Sequence, residues 1–328
     1  QRQMCIRDRA YIMEDCAKKQ KNITEECRSN LQDIAYRARE RGIKVIDEQL
    51  WEKENGRWQL VMKVMVKDGC VTTRELTKAV AGALNRRMIP EKDTKTLIGK
   101  GVNLYTYEEE PRFQAIYGVA RMVKDGAAVS GDNFSFLEPE SGKMVMCLSD
   151  GMGSGSLACK ESEMVIELVE KFLEAGFDVE TAARMMNSAM VMKGQEDLFS
   201  TVDISELDLY DGTCRFYKIG AAATFIRRNG IVECLISTSL PVGVSYKLDM
   251  EKSEKDLYNG DFLVMVSDGV LEYLHVPNPE ETMQEIIESI ETNNATILAK
   301  RILERVLLFT GGKAADDMTV LATAIWEK

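Results

Sequence analysis

The chain has 328 residues, of which 45% are hydrophobic and 29% charged, with a formal net charge of −11. That length and balance suit one large domain with a smaller companion and a buried core, and the acidity argues against a nucleic-acid or anionic-membrane surface. A single histidine (His275) and eight cysteines without a CxxC pair leave little room for Ser-His-Asp, Cys-His or His-rich zinc chemistry, so a reduced, cytosolic protein with buried thiols is expected.

No apolar run approaches the roughly 20 residues needed to span a bilayer, and no signal peptide is visible. Gln1 to Arg9 is polar and without pattern. It reads as a fragment or fusion scar, so any upstream membrane anchor lies out of view. Residues from about 11 to 41 carry Ile12, Ile23, Cys27, Leu31, Ile34 and Ala38 at roughly helical spacing. This predicts a surface or linker helix from about 11 to 41, within an N-terminal helical or linker segment over 1–41. Gly42 ends it. Lys44 to Trp51 reads as a strand, Asn55-Gly56 as a hairpin turn, and Trp58 to Val66 as a half-buried strand. Thr72 and Glu75 have the spacing of a capping box, opening a helix with Leu76, Val80 and Leu84 inward. These elements make a small α/β unit over 42–110. It holds no cluster of catalytic residue types and reads as regulatory.

A third segment, 111–328, is different in character. Phe113, Ala115, Tyr117 and Val119 alternate as a strand, and a glycine-rich turn leads through Gly131-Asp132 into a second strand at Phe134 to Leu137. Met144 to Leu148 reads as a buried strand, and it runs into Ser149-Asp150-Gly151-Met152-Gly153-Ser154-Gly155. Two helices follow, with Met164, Leu168 and Phe172 on the first and Ala182, Met186 and Met190 on the second. The methionines read as core filler. Strands then dominate: 199–209, 213–219, 223–228 and 231–236. The Asp211-Gly212 and Asn229-Gly230 turns between them point to antiparallel sheet. Phe262 to Val266 is a strand ending in Ser267-Asp268-Gly269. Helices with Ile286, Ile287, Ile290 and Ile302 come next, and Asp316-Asp317-Met318-Thr319 opens a last strand.

Four acidic turns therefore sit at strand ends: Asp132, Asp150, Asp268 and Asp316/Asp317. If the strand ends converge, the carboxylates repel one another unless cations neutralise them. Oxygen-only donors suit Mg²⁺ or Mn²⁺, and two ions about 3.5–4 Å apart with a bridging water form a clamp for phosphoryl displacement. A rival reading takes the glycine loop as a dinucleotide-binding turn. Its spacing is GxGxG rather than GxGxxG, and Asp150 would face and repel a pyrophosphate.

Val129-Ser130-Gly131-Asp132, Ser149-Asp150-Gly151-Met152-Gly153, Leu240-Pro241-Val242-Gly243, Ser267-Asp268-Gly269 and Asp316-Asp317-Met318-Thr319-Val320, in this order, resemble the motifs of the PPM/PP2C-type serine/threonine phosphatases. Within them, the chain resembles the bacterial branch typified by stage II sporulation protein E. The resemblance covers about 112 to 326 and extends more weakly upstream. It implies an α+β fold, an α-β-β-α sandwich of two mainly antiparallel sheets. It implies two Mn²⁺ or Mg²⁺ ions held by Asp132, Asp150, the carbonyl of Gly151, Asp268 and Asp316, with Asp150 and Asp268 essential for catalysis. Asp316 is preferred to Asp317 because the family's ligand is the first residue of that pair. Lys124, Gly153 and Ser154 are the candidate substrate contacts.

The resemblance further implies a protein-serine phosphatase that dephosphorylates a phosphorylated anti-anti-sigma factor and so frees a sporulation sigma factor. It implies that the helices at about 156 to 193 move as a switch, biased by the upstream region. A cell-division protein and a homo-oligomer are kept open as partners, and the full-length protein would be anchored at the membrane. The alternative is a catalytically silent scaffold that keeps the fold for partner binding.

Overall fold

The computed structural model describes residues 20–53, 56–91, 94–140, 142–153, 155–192, 199–309 and 311–328. They fall into two compact units that divide between Glu110 and Pro111. No helix among the described residues is long and apolar enough to cross a membrane.

In chain order, the N-terminal unit comprises β1 (Gln20–Asn22), α1 (Arg28–Glu40), β2 (Ile43–Lys53), β3 (Trp58–Val66), β4 (Val71–Thr72), α2 (Thr73–Leu84), β5 (Met88–Pro90), β6 (Leu97–Ile98) and β7 (Asn103–Glu109). Five strands form an antiparallel sheet ordered β1-β2-β3-β7-β5, and β4 pairs with β6. Leu31, Ile34 and Ala38 of α1 share a core with Leu76 and Val80 of α2 and with Leu50, Leu60 and Met62 of the sheet. Of the helix expected from about 11 to 41, the described residues show Arg28–Glu40 as helix and Gln20–Asn22 as a strand instead. Asn22 Oδ1 accepts the N–H of Thr24 at 3.0 Å, and Leu50 N–H donates to Thr24 Oγ1 at 3.0 Å. These local bonds compete with a helical ladder and hold Gln20–Asn22 as a strand on β2. Ile12 lies outside the described residues. The capping box does not form either. Thr72 occupies the N-cap but makes no side-chain capping bond, and Glu75 pairs with Lys78 at 2.8 Å instead.

The C-terminal unit follows with β8 (Phe113–Met122), β9 (Asp132–Glu140), β10 (Lys143–Gly151), α3 (Ser156–Glu174), α4 (Val179–Met192), β11 (Ser200–Asp208), β12 (Thr213–Ile219), β13 (Thr224–Arg228), β14 (Ile231–Leu235), β15 (Glu251–Asp256), β16 (Phe262–Val266), α5 (Asp268–Glu272), α6 (Pro279–Glu288), α7 (Ala295–Phe309) and β17 (Met318–Glu327). Two five-stranded antiparallel sheets result, ordered β15-β12-β11-β10-β9 and β14-β13-β16-β17-β8. Between them lies an apolar layer that includes Met146, Phe216, Met265 and Leu321. Val165, Val169 and Met186 of α3 and α4 cover the first sheet, and Val270, Ile287, Leu298 and Ile302 of α5, α6 and α7 cover the second. The architecture is the expected α-β-β-α sandwich. β10 is a continuous apolar run because both of its faces are covered.

The hairpin between β13 and β14 turns through Asn229 at φ 50° and Gly230 at φ 82°, the geometry a two-residue turn demands. One strand had no apolar signal: β15, Glu-Lys-Ser-Glu-Lys-Asp, is mostly exposed at a sheet edge, where charge blocks pairing with another chain. A buried polar group ties the sheets together. Lys218 Nζ on β12 meets Asp203 Oδ2 on β11 at 2.5 Å, and Thr224 Oγ1 on β13 donates to the same oxygen at 2.6 Å.

Candidate functional site

Strand register gathers the four acidic turns. Asp132 opens β9 and Asp150 is the penultimate residue of β10, and the two are direct cross-strand partners. In the other sheet Val266, the last residue of β16, faces Val320. Asp268 follows β16 and Asp317 precedes β17. Ser267 and Thr319 bond across this gap, through Ser267 N–H to Thr319 O at 3.0 Å and Thr319 N–H to Ser267 Oγ at 2.9 Å. The acids of both sheets thus meet at one end of the sandwich.

Asp132 is fully buried, and among the described residues neither carboxylate oxygen makes a hydrogen bond; the Thr319 hydroxyl is likewise buried and unbonded there. Burial pushes Asp132 above the usual carboxylate range, and the charge of Asp268 adds to the push, while the hydroxyls of Thr319 and Ser267 and the carboxyl of Asp150 lie near enough to hold it back. Asp150 is pushed up to about 11, first by desolvation, then by its hydrogen bond to Asp268 and the charges of Asp132 and Asp268. Asp132, Asp150 and Asp268 are therefore mutual neighbours, and ionising all of them together is opposed. Among the described residues, no three His, Cys, Asp or Glu side chains converge as placed on a single ligating point. The donors nonetheless suit a hard cation: a buried carboxylate with both oxygens unpartnered is costly to keep without one.

The two acids before β17 differ in environment. Asp317 is buried, and its oxygens accept the N–H groups of Lys124 at 2.9 Å and Gly131 at 2.7 Å. Asp316 is partly exposed, with the Lys124 ammonium 3.6 Å from Oδ1. Arg121, cross-strand from Thr319, donates to the backbone carbonyl of Asp132. Two cations therefore flank the acids.

Glycine matters at Gly151 because of close approach. A Cβ there would lie 2.1 Å from the carbonyl oxygen of Ala158, so the first turn of α3 rests directly on it. Ser162 of α3 donates to Gly131 O, and Asn133 Nδ2 donates to Ser162 Oγ at 2.9 Å and to Cys159 O at 3.1 Å. The helix is latched to the loop that carries Asp132. Gly153 sits at φ 97° with open space around it. Ser154 lies outside the described residues. His275, at φ 51°, packs edge-on against Tyr273.

Sequence reasoning missed the supporting hydroxyls. Ser149 Oγ and Ser200 Oγ are 2.8 Å apart, and Ser200 donates to Asp150 O at 2.6 Å. The repeated Ser-Asp-Gly was a readable signal. The partner of Ser149, 51 residues away, was not.

Two antiparallel sheets between helical layers, with carboxylates at the strand ends of both, define the PP2C class of protein phosphatase folds. A solved structure described as the PP2C phosphatase domain and a fragment of the regulatory domain of SpoIIE from Bacillus subtilis is similar with a TM-score of 0.69, at 28% identity over 96% of this chain and 93% of that one. The family model for Stage II sporulation protein E (SpoIIE) matches residues 140–325, and the chain belongs to that family. Stage II sporulation protein E of Bacillus subtilis (strain 168) is 29% identical over 285 residues, covering 87% of this chain and 34% of that protein. The chain thus spans about a third of the length of the curated relatives it matches. A structure of RsbX in complex with magnesium shares the fold, at 21% identity over 66% of this chain and 98% of that one, with a TM-score of 0.50.

Proposed function

We propose that this chain is a divalent-metal-dependent protein-serine phosphatase acting on a phosphorylated anti-anti-sigma factor, so that a sporulation sigma factor is released. The observation that carries this reading is Asp132, a fully buried carboxylate with two unpartnered oxygens beside Asp150. Asp132, Asp150, the carbonyl of Gly151, Asp268 and Asp316 would hold two Mn²⁺ or Mg²⁺ ions. When bound, such ions neutralise the carboxylates and supply Lewis acidity and an activated water for in-line displacement at a phosphoryl group.

The chain's own residues have separate tasks in this reading. Lys124 and Arg121 present positive charge to the phosphate beside the acids. Asp317 fixes the 124–131 loop by its two backbone bonds. Gly153, exposed and with nothing within 4 Å of where a Cβ would stand, lets a phosphoserine loop approach, and Ser154 follows it in sequence. The latch through Asn133 and Ser162 makes α3 a lever on Asp132 and Gly151, which supports a switch role for α3 and α4. A cell-division protein, self-association and a membrane-anchored full-length protein belong to the same reading as further proposals.

The test is phosphate release from the phosphorylated anti-anti-sigma factor and from p-nitrophenyl phosphate during Mn²⁺ titration. Asp150→Ala and Asp268→Ala should abolish release and leave the far-ultraviolet circular dichroism unchanged. Unaltered turnover in either variant overturns the assignment, and absence of turnover in the parent chain at every metal concentration leaves the silent scaffold.

A further inference from the structure

The N-terminal unit contains a cavity of about 780 Å³, bordered by the second half of α1, the Gly42 turn, the start of β2 and the end of β3. That volume falls within the roughly 300–1,000 Å³ usual for small-molecule sites. Its floor is apolar: Ile43 is fully buried, and Val66 is nearly so. Val45 and Val71 extend this surface, and Tyr36 stands at the wall with 64% of its surface exposed.

Three cations and one acid complete the lining. Arg39, Lys44 and Lys67 all border the cavity. Among the described residues, none of the three has a carboxylate within ion-pairing distance, whereas Arg37, Lys53, Lys63, Arg86 and Lys100 of the same unit each hold one. The one acid in the lining, Asp68, is 92% exposed and paired with Lys100 at 3.2 Å. Three unneutralised cations around one apolar-floored cavity stand out in a chain of net charge −11. Three like charges bordering one cavity attract an anion to it.

We infer that this cavity binds a small organic phosphate, whose flat body lies against Tyr36, Val45 and Val71 and whose phosphate meets Arg39, Lys44 and Lys67. Arg39 gives the planar, multidentate contact that phosphate oxygens accept, and the two lysines act as point charges. The site lies apart from the acidic turns in sequence and contains no acid–base pair, so its ligand is an effector rather than a substrate. The inference does not depend on the phosphatase reading.

The experiment is hydrogen–deuterium exchange on the full chain in metal-free buffer with EDTA. ATP, GTP and inorganic pyrophosphate serve as separate probes. ATP or GTP is expected to slow exchange in peptides spanning 35–45 and 66–71, with pyrophosphate weaker because it lacks the flat body. Arg39→Gln/Lys44→Gln/Lys67→Gln is expected to weaken that protection by about tenfold or more, the equivalent of losing at least one charged contact, with an unchanged melting temperature. Tyr36→Ala is expected to reduce nucleotide protection and leave pyrophosphate unaffected. No protection at millimolar probe, protection that survives in the triple variant, or protection confined to peptides around 121–132 and 149–153 overturns the proposal. Equal protection by pyrophosphate and nucleotides overturns the role given to the apolar wall.

Discussion

Asp317 Oδ2 accepts the backbone N–H of Gly131 at 2.7 Å, so a residue at the start of the last strand fixes the loop that leads to Asp132. Its other oxygen takes the N–H of Lys124 at 2.9 Å. With both oxygens committed to the backbone of a distant loop, Asp317 acts as a clamp, whereas Asp316, partly exposed, accepts the neighbouring Asp317 N–H at 3.0 Å and faces the Lys124 ammonium. Asp317→Ala should lower stability by roughly 2–4 kcal/mol, because two charge-assisted bonds are lost in a buried place. Asp316→Ala should change stability by about 1 kcal/mol or less yet raise the Mn²⁺ concentration needed for phosphate release. Urea unfolding midpoints and metal titrations read the two effects separately. Similar stability losses for both variants would contradict this division of roles.

The crowding around Asp150 gives a pH dependence with a definite sign. Its ordinary value is 3.8, and the fold pushes it up to about 11. Between those values the unfolded chain releases this proton while the folded chain keeps it. The folded state binds more protons, so metal-free stability is fullest below about pH 4 as far as this group is concerned and declines as pH rises toward 11. Chelated protein should therefore melt lower at pH 8 than at pH 6, and Asp150→Asn should flatten that slope. Mn²⁺ should raise the melting temperature more at pH 8, since ligand carboxylates must lose their protons to bind. Calorimetry with EDTA or Mn²⁺ at the two pH values decides it. A slope that Asp150→Asn leaves untouched would assign the effect to other groups.

The acidic turns could be read in the sequence because each follows or precedes a strongly apolar strand, and Ser-Asp-Gly at 149 and 267 marks both central strand ends. The antiparallel pairing could be read from the hairpin turns between apolar strands, whereas the sandwich itself followed from the resemblance of the motifs to a known family. What supports the site could not. Asp317 bonds to residues 186 and 193 positions away, and Ser149 to one 51 away; no local pattern encodes such pairings. β15 carries no hydrophobic signal because it is a charged edge. Within the described residues, 20–27 are not helical as the apolar stripe suggested, because side-chain bonds of Asn22 and Thr24 override that sparse stripe. Nothing local marks Arg121 as part of the site, yet the pairing of β8 with β17 and its bond to Asp132 O bring it to the acids.

The glycines of the opening motif should separate by mechanism. A methyl group on Gly151 would meet the Ala158 carbonyl oxygen at 2.1 Å, and backbone cannot yield as a side chain can. Gly151→Ala should shift the start of α3, loosen the Asn133–Ser162 latch and cost several kcal/mol, about the upper range for overpacking. Gly153 meets nothing within 4 Å but has φ 97°. Gly153→Ala should cost only about 1–2 kcal/mol of backbone strain and act chiefly on KM for phosphoprotein. Thermal melts with steady-state kinetics on both variants test this. A Gly151→Ala protein as stable as the parent would show that α3 can move away freely.

The ion pair inside the sandwich should behave unlike a surface bridge. Asp203 and Lys218 are 2% and 4% exposed, and Thr224, which is fully buried, bonds to both. Lys218→Met removes the cation and leaves a buried carboxylate with one hydroxyl donor, which should lower stability by about 3–5 kcal/mol. Asp203→Leu alone leaves an unpaired ammonium and should cost a similar amount. The pair is not thereby worth the sum, since desolvation already offsets much of its attraction. Asp203→Leu/Lys218→Met still strands the Thr224 hydroxyl, so it should recover only part of the loss. Adding Thr224→Val removes the last orphaned group and should bring stability to within about 1–2 kcal/mol of the parent. Denaturant unfolding of the single, double and triple variants gives the coupling energies directly. Additive losses, with the triple variant the least stable, would mean that the three side chains act independently and that the sheets are held together by the apolar layer alone.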